Sequence, residues 1–344
     1  MWLAPRLHGV HSSVRKRIVG RSFSVEWLDG PEYRSLEDVI DLDAVRRTFT
    51  EHLVTTLSEF KVANRRSQDP LPSAQKKFAF NPLDDKPFIE GVIDVPIAPS
   101  AQAILLKALP PAIYHLALRA LGKDFADDLG SVFQHYVGRQ LGLVVGDRQV
   151  VPEVRYGSRQ AKMDSCDWFL ELPDLVVLIE CKARQPIESL RTGGHDWLRS
   201  VQESIGKGTK QLNRSDSDMM RIIAENLSID ATKPRVGLVV TLEPFYLNQN
   251  WLIRDELPAA DLPVGVVSVA ELESLVPLNP DELSRVLRDA VEISQENVLL
   301  LNPALDAAAG RQNSLLVATW ESIGLFDRVE SAAERFRDVS RGDE

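Results

Sequence analysis

Two residues of opposite charge lie at the end of an apolar segment near the middle of the chain. Residues 175–183 read LVVLIECKA, and an apolar run of this length is typical of a buried β-strand. Side chains alternate between the faces of a strand, so we expect Glu180 and Lys182 on one face and Cys181 on the other. Charges are costly to bury without compensation. The pattern therefore predicts that this face opens onto solvent, a metal ion or a substrate.

A second carboxylate is predicted beside Glu180. Residues 162–170 are expected to form the preceding strand, and a turn that leaves residues 172–175 unpaired sets Asp167 opposite Glu180, with Cβ atoms about 4.5–5.5 Å apart. A different register or a bulge would bring in Asp164 instead. Two carboxylates this close repel each other unless a proton or a cation lies between them, and oxygen ligands favour Mg²⁺ or Mn²⁺.

The segments around this pair predict an α/β domain. We expect helices and strands in the order αβββαβ, followed by a further strand, at residues 125–141, 150–156, 162–170, 175–183, 195–213, 235–242 and 264–269. The first helix is expected to end at Gly142. A hairpin inserted into an α/β unit gives a mixed sheet with helices on both faces.

Over residues 122–276 this arrangement resembles the PD-(D/E)XK, or restriction-endonuclease-like, phosphodiesterase superfamily. The likeness rests on Asp167 in the first arm of the hairpin, the IECKA ending of the second arm, and the helices on either side. It implies a restriction-endonuclease-like core and metal-dependent cleavage of phosphodiester bonds, usually in DNA. Asp167 and Glu180 would then hold Mg²⁺ or Mn²⁺, the Cys181 carbonyl would add a ligand, and Lys182 would position the attacking water or neutralise the transition state.

The two helices carry further candidates that the resemblance suggests. Many members have a glutamate on the first helix that reaches the metal, whereas this chain offers Gln134, which can hold a metal-bound water but lacks the charge. That difference favours a site with one metal ion. On the second helix Lys207 and Gln211 share a face, and the resemblance places such a glutamine or lysine beside the active site. Ser215 stands where the tyrosine of the fuller motif of helicase-associated nucleases would fall.

Basic residues near the candidate site predict contacts with a nucleic-acid backbone. Residues 155–214 contain 10 Lys or Arg and 8 Asp or Glu, so neutralisation of two acids by a metal leaves a locally positive surface. A solvated charged face is the alternative explanation. The candidate substrate-binding residues are Arg155, Arg159, Lys162, Arg184 and Lys207.

Composition excludes several classes of protein. The net charge of −10 argues against a protein that coats nucleic acid through its overall field. No apolar run approaches the ~18–20 residues that cross a bilayer, so a membrane-spanning protein is not expected. With only Cys166 and Cys181, neither a disulfide framework nor a four-cysteine zinc site is possible.

A chain of 344 residues suggests more than one domain. We expect an N-terminal accessory domain at residues 1–120, a nuclease-like domain at 121–280 and an acidic helical tail at 281–344, where 13 acids face 7 basic residues. Within the accessory domain the pattern predicts a helix over residues 41–61, a loop over 64–77 and a strand over 88–95.

The sequence thus predicts a cytoplasmic, Mg²⁺-dependent phosphodiesterase, with DNA endonuclease as the leading hypothesis. Analogy suggests a component of a phage-defence or restriction system, acting as a homodimer or with a partner subunit. One alternative is a nucleic-acid-binding or assembly protein that keeps the nuclease fold without cleavage, and hydrolysis of RNA or a nucleotide also stays open. Another is a plain salt bridge between Glu180 and Lys182 at an exposed sheet edge.

Overall fold

A computed structural model shows two compact units, Met1–Ala120 with Trp320–Glu344, and Leu121–Thr319. Among the described residues no single helix is long and apolar enough to cross a membrane, although one bent pair, Ala101–Lys107 with Ala112–Val145, passes by length and composition. The structure describes residues 22–30, 33, 37, 39–107, 110–146, 150–183, 197–225, 229–245, 257–293, 297–324, 327–328, 330–331 and 334.

The N-terminal part of the first unit is a small α/β arrangement around clustered aromatic rings. Strands β1 and β2 pair in parallel, and the ring of Phe49 lies 4.6 Å from that of Phe23 and 4.9 Å from that of Phe88. The longer elements are α1 (Leu42–Thr48), a π-helical turn (Phe49–Leu53), β1 (Val54–Thr56), α2 (Leu57–Gln68), β2 (Phe88–Glu90) and α3 (Ala101–Lys107).

The continuous helix predicted over residues 41–61 is wrong, because β1 interrupts it. The β-branched residues of β1 favour an extended backbone. Thr56 then begins α2 with a capping box, in which its hydroxyl accepts from the Glu59 amide and the Glu59 carboxylate accepts from the Thr56 amide. Helix α2 extends to Gln68, so part of the predicted loop at 64–77 is helical.

The second unit contains the main sheet and the helices around it. Helix α4 begins before this unit and is interrupted at Gly122, and α11 ends after it. In chain order the elements are α4 (Pro110–Val145), β3 (Val150–Pro152), β4 (Arg155–Ser158), β5 (Ala161–Asp164), β6 (Trp168–Glu171), β7 (Val176–Lys182), α5 (Trp197–Val201), a π-helical turn (Gln202–Gly206), α6 (Lys207–Ser217), α7 (Met219–Ile223), β8 (Arg235–Thr241), β9 (Val264–Ser268), α8 (Val269–Leu275), α9 (Pro280–Glu292), α10 (Asn302–Ala308) and α11 (Ser314–Ser322).

The five-stranded sheet is mixed and has the order β3-β6-β7-β8-β9. Strand β6 runs antiparallel to both of its neighbours, β3 and β7, whereas β7, β8 and β9 run parallel to one another. Trp168 pairs with Ile179, which confirms the register predicted for the hairpin. A mixed sheet flanked by helices is therefore the fold of this unit.

Two of the predicted strands are each divided in two. Residues 150–156 form β3 and β4, and residues 162–170 form β5 and β6; β4 and β5 make a separate hairpin in which Arg155 pairs with Asp164. The break has a local cause, because side chains satisfy the backbone there. Ser165 Oγ accepts from the Val154 amide at 2.9 Å, and Ser215 Oγ accepts from the Cys166 amide at 2.7 Å.

Each face of the sheet packs on its own set of helices. Val177 and Ile179 belong to the core cluster that includes residues of α4, and Cys181 packs against that cluster as predicted. Val176 and Leu178, on the opposite face, belong to the cluster that includes Val201, Ile205 and Leu212 from the α5–α6 segment. The face of Glu180 and Lys182 is therefore the face that α6 covers.

The sequence predicted a separate acidic tail at residues 281–344. Instead, the C-terminal helices α9 and α10 belong to the same core. Leu283, Leu287 and Ala304 are buried within the cluster under α4. Acidic residues occupy the outer face of α9, so the charge count hid an apolar face that completes the core. Helix α4 likewise ends at Val145 rather than before Gly142, and Gly146 follows it with a φ of 81°.

Candidate functional site

Glu180 is a buried carboxylate on the middle strand of the sheet. Its residue is only 2% exposed, and β6 and β8 flank β7 on either side. Oε1 of Glu180 accepts a hydrogen bond of 2.6 Å from Nζ of Lys182, while Oε2 is buried without a partner among the described residues. The alternative of a surface salt bridge at an exposed sheet edge is therefore wrong, since the pair lies inside the sheet layer.

Asp167 lies directly before β6, beside Glu180. Its Oδ2 accepts a hydrogen bond of 2.6 Å from the backbone amide of Cys181. This bond crosses from the start of β6 to β7 and continues the register by which Trp168 pairs with Ile179. The arrangement that the sequence predicted for Asp167 and Glu180 is thus present in the structure.

Burial raises the pKa values of both carboxyl groups. The pKa of Glu180 rises to about 8, chiefly through burial and then through the negative charge of Asp167, while Lys182 acts in the opposite direction. Burial also raises the pKa of Asp167, against the effect of the Cys181 amide. Both carboxyl groups therefore lack compensating positive charge when they are ionised, and the folded chain favours a proton or a cation beside Glu180.

A divalent cation fits this deficit. The unpartnered Oε2 of Glu180 needs a donor or a positive charge, and the carboxylate oxygens of Asp167 and Glu180 are the ligands that Mg²⁺ and Mn²⁺ prefer. Within the described residues no three His, Cys, Asp or Glu side chains already stand close enough together to hold a metal ion. Asp167 and Glu180 are therefore the two carboxylates that could hold the cation, while the Cys181 side chain packs against the core under α4 and also hydrogen-bonds to Asp167.

Glu153 is a third acid that sequence reasoning missed. Pro152 pairs with Trp168, so one further step along β3 sets Glu153 beside Asp167. The pKa of Glu153 is raised by partial burial, then by the charges of Asp167 and Asp164, and Glu153 in turn raises the pKa of Glu180. Glu153 was missed because the sequence predicted one continuous strand over residues 150–156. Its position directly after a short apolar segment was the signal that could have marked it as a site candidate.

Helix α6 packs on the sheet face that carries Glu180, whereas α4 packs on the opposite face. A Cβ on Gly208 would lie 3.1 Å from the methyl groups of Val239 and 3.5 Å from Cε of Lys182, so a glycine lets the helix approach the site. Gln211 lies almost one turn later on α6 and is half-buried, whereas Lys207 is exposed. The structure thus brings the α6 candidates to the predicted side of the sheet.

Gln134 lies on α4, which packs on the opposite face of the sheet. Its neighbour Phe133 belongs to the core under Ile179, and the backbone oxygen of Gln134 accepts a 3.0 Å hydrogen bond from Nε1 of Trp168. Trp168 itself fills the space over Gly138, where a Cβ would lie 2.3 Å from Cζ2 of the indole. This contact comes from the backbone of Gln134 and does not depend on its side chain.

Asp164 does not replace Asp167. It lies in β5, where its carboxylate is 3.6 Å from Nε of Arg155 and its backbone oxygen accepts from Arg214 at 2.8 Å. Arg159 and Lys162 are exposed in the same hairpin. Arg184 lies outside the described residues.

Comparisons with known proteins add little to this site. No family model matches the chain, and no curated protein matches it. Among solved structures, the chain is similar to the small subunit of the heterodimeric restriction endonuclease R.BspD6I, with 15% identity, 54% of this chain and 91% of that chain covered, and a TM-score of 0.28. A TM-score this low carries no argument about the site, so the geometry of Asp167, Glu180 and Lys182 is the evidence for it.

Proposed function

We propose that this protein is a metal-dependent phosphodiesterase that acts on DNA as an endonuclease, with Mg²⁺ or Mn²⁺ as its cofactor. The observation that carries the proposal is the buried, unpartnered Oε2 of Glu180, placed beside Asp167 and bonded through its other oxygen to Lys182. A buried carboxylate of this kind is stabilised when a cation binds it.

Each residue has a role that follows from its position. Asp167 and Glu180 would hold the cation, which when bound supplies a Lewis acid and lowers the pKa of a coordinated water. Lys182 has an ammonium group near the carboxylates and a partly exposed side chain, so it can donate to a non-bridging phosphate oxygen. The Cys181 amide fixes the Asp167 carboxylate through its 2.6 Å hydrogen bond.

The order of elements supports a restriction-endonuclease-like core. Helix α4, the three antiparallel strands β3, β6 and β7, then α6 and the parallel strand β8 follow the αβββαβ order that the family resemblance implies. The β4–β5 hairpin is an insertion between the first and second of these strands. Since Glu180 and Lys182 lie at the C-terminal end of β7, the proposed site lies at the end of the middle strand of the sheet.

Exposed basic residues support a nucleic-acid substrate. Arg155, Arg159 and Lys162 extend along the β4–β5 hairpin, and Lys207 lies at the start of α6, the helix over the Glu180 face. Such side chains bind phosphates without reading base sequence. The hairpin would hold the DNA backbone, with Gln211 and Lys207 facing the cleaved strand.

Nicking of supercoiled plasmid tests the proposal. We expect the full chain to convert supercoiled DNA to the open circle with Mg²⁺ or Mn²⁺ and not with EDTA. Asp167→Asn and Lys182→Ala should abolish nicking while circular dichroism spectra stay unchanged. Glu171→Gln, which removes an acid from the other end of β6, should cut normally because Glu171 pairs instead with Lys233.

Absence of cation-dependent cleavage of any DNA or RNA form by the wild-type chain would contradict the proposal. The protein would then be a nucleic-acid-binding or assembly protein with the nuclease fold. We further propose a cytoplasmic role in a phage-defence or restriction system, as a homodimer or with a partner subunit; sedimentation of the free and DNA-bound protein tests the assembly.

A further inference from the structure

We propose that Glu153 is the third carboxylate of the cation site and holds the ion together with Asp167 and Glu180. This inference rests on the proposed function, because it requires a cation between those two residues. It adds a ligand on β3, a strand for which the sequence and the family resemblance named no site residue.

The strand registers place the three acids in one row across the sheet. Pro152 pairs with Trp168, and Trp168 pairs with Ile179. The next residues beside Pro152, Trp168 and Ile179, in the same direction across the sheet, are Glu153, Asp167 and Glu180. Directly opposite residues on neighbouring strands have Cβ atoms about 4.5–5.5 Å apart, which carboxylates of this length span around a shared ion.

Glu153 directly follows β3 and Asp167 directly precedes β6, where the β4–β5 hairpin leaves the main sheet. Leu178, in the cluster under α6, lies two residues before Glu180. The charge of Asp167 raises the pKa of Glu153, so these two carboxyl groups act on each other across the neighbouring chain segments.

The three carboxylates differ in freedom, and this difference suits stepwise capture of an ion. Glu180 is held by Lys182 and Asp167 by the Cys181 amide, whereas Glu153 is exposed on the solvent side of the row. Without a cation the negative charge of Asp167 repels Glu153 and that of Glu153 repels Glu180, and among the described residues no three such side chains stand close enough together to hold an ion. A bound ion reverses that interaction.

An independent observation indicates that an ion belongs here. Oε2 of Glu180 is buried and has no hydrogen-bond partner among the described residues, although the whole residue is only 2% exposed. Buried polar atoms are almost always paired. The three acids are thus more than a surface cluster of like charge, because one of them presents a buried oxygen that a cation, a proton or a bound water would satisfy.

Titration of the full chain with Mn²⁺, followed by the electron paramagnetic resonance signal of the free ion, tests the inference without any cleavage assay. We expect Glu153→Gln to weaken Mn²⁺ binding by about tenfold or more, the loss typical of groups that support a metal. Glu153→Asp should bind with intermediate affinity. The matched control Glu171→Gln makes the same charge change at the far end of β6 and should stay within about twofold of wild type.

The outcomes separate this inference from the proposed function. If the wild-type chain binds no Mn²⁺, the proposed metal site fails and Glu153 falls with it. If the wild type binds Mn²⁺ and Glu153→Gln binds it equally well, only the role of Glu153 is overturned. Equal weakening in Glu153→Gln and Glu171→Gln would show an effect of net charge and would also overturn it. Because Glu153 is exposed, its substitution should not disturb folding. Thermal unfolding of each variant checks this.

Discussion

Lys182 and Glu180 form an ion pair of 2.6 Å inside the sheet layer, two residues apart on the same strand. The lysine side chain is 20% exposed and the glutamate side chain 2%. The ammonium group thus reaches toward solvent while the carboxylate stays buried, and only one oxygen of the carboxylate is used. The pair therefore leaves Oε2 of Glu180 as the oxygen that a cation would bind under the proposed function.

Lys182→Met is expected to separate ion binding from cleavage. Loss of a positive charge beside the carboxylates should leave Mn²⁺ affinity unchanged or higher, while the rate of plasmid nicking falls by about 100-fold or more, as when one charge-stabilising donor is removed. Mn²⁺ titration and single-turnover nicking measure the two effects. Loss of Mn²⁺ binding in this variant would show that Lys182 serves to fold the site instead.

Stability without metal is expected to fall as the pH rises. The pKa of Glu180 is about 8 in the folded chain against an ordinary value of 4.5, so the folded state binds more protons than the unfolded state between these values. The stabilisation is complete below about pH 4.5 and is lost as the pH rises through 8. Urea unfolding in EDTA at pH 5 and pH 8.5 should show a loss on the order of a few kcal/mol.

Two comparisons assign that pH dependence to Glu180. Glu180→Gln cannot ionise, so its free energy of unfolding should change much less between the two pH values than that of wild type. Saturating Mg²⁺ should raise the free energy of unfolding of the wild type at pH 8.5, and it should leave that of Glu180→Gln unchanged. Parallel pH profiles for the two proteins would contradict the assignment.

Gly138→Ala is expected to destabilise the second unit by about 1–3 kcal/mol, because the new Cβ would clash with Trp168 at 2.3 Å. Gly130 lies on the same helix with nothing within 4 Å of a Cβ, so Gly130→Ala should stabilise by up to about 1 kcal/mol through helix propensity. Urea unfolding curves give both values. Equal effects at the two positions would mean that Trp168 does not pack against α4.

Arg159 and Lys162 are expected to contribute to DNA binding without base preference. The double substitution to alanine should weaken binding similarly on unrelated sequences and reduce the slope of log Kd against log salt by about 2. Fluorescence anisotropy at several salt concentrations measures this slope. An unchanged slope would place the DNA elsewhere on the surface.

The hairpin that carries Asp167 and Glu180 was predictable because two local rules agree. An apolar strand preceded by a four-residue turn permits few registers. The register predicted from the sequence is the one observed, with Trp168 opposite Ile179. The mixed sheet between helices followed from the same apolar pattern. The chemistry of the site is a separate matter and remains a prediction.

What the sequence did not reveal depended on contacts between distant segments. Glu153 becomes a site candidate only when β3 ends at Pro152, and that end depends on Ser165 bonding to the Val154 amide. The helical spacing at residues 41–61 concealed β1, because its partner β2 is distant in sequence. The acidic count after residue 280 described the outer face of α9 and not the leucines beneath it.

The C-terminal segment also continues the sheet. The amide of Leu299 donates to the Val264 oxygen at 3.0 Å, and Leu301 is buried in the same core. Strand β9 precedes these residues in the chain, so its outer backbone edge stays unpaired until they fold against it, and an unpaired edge is where a strand of another chain can add.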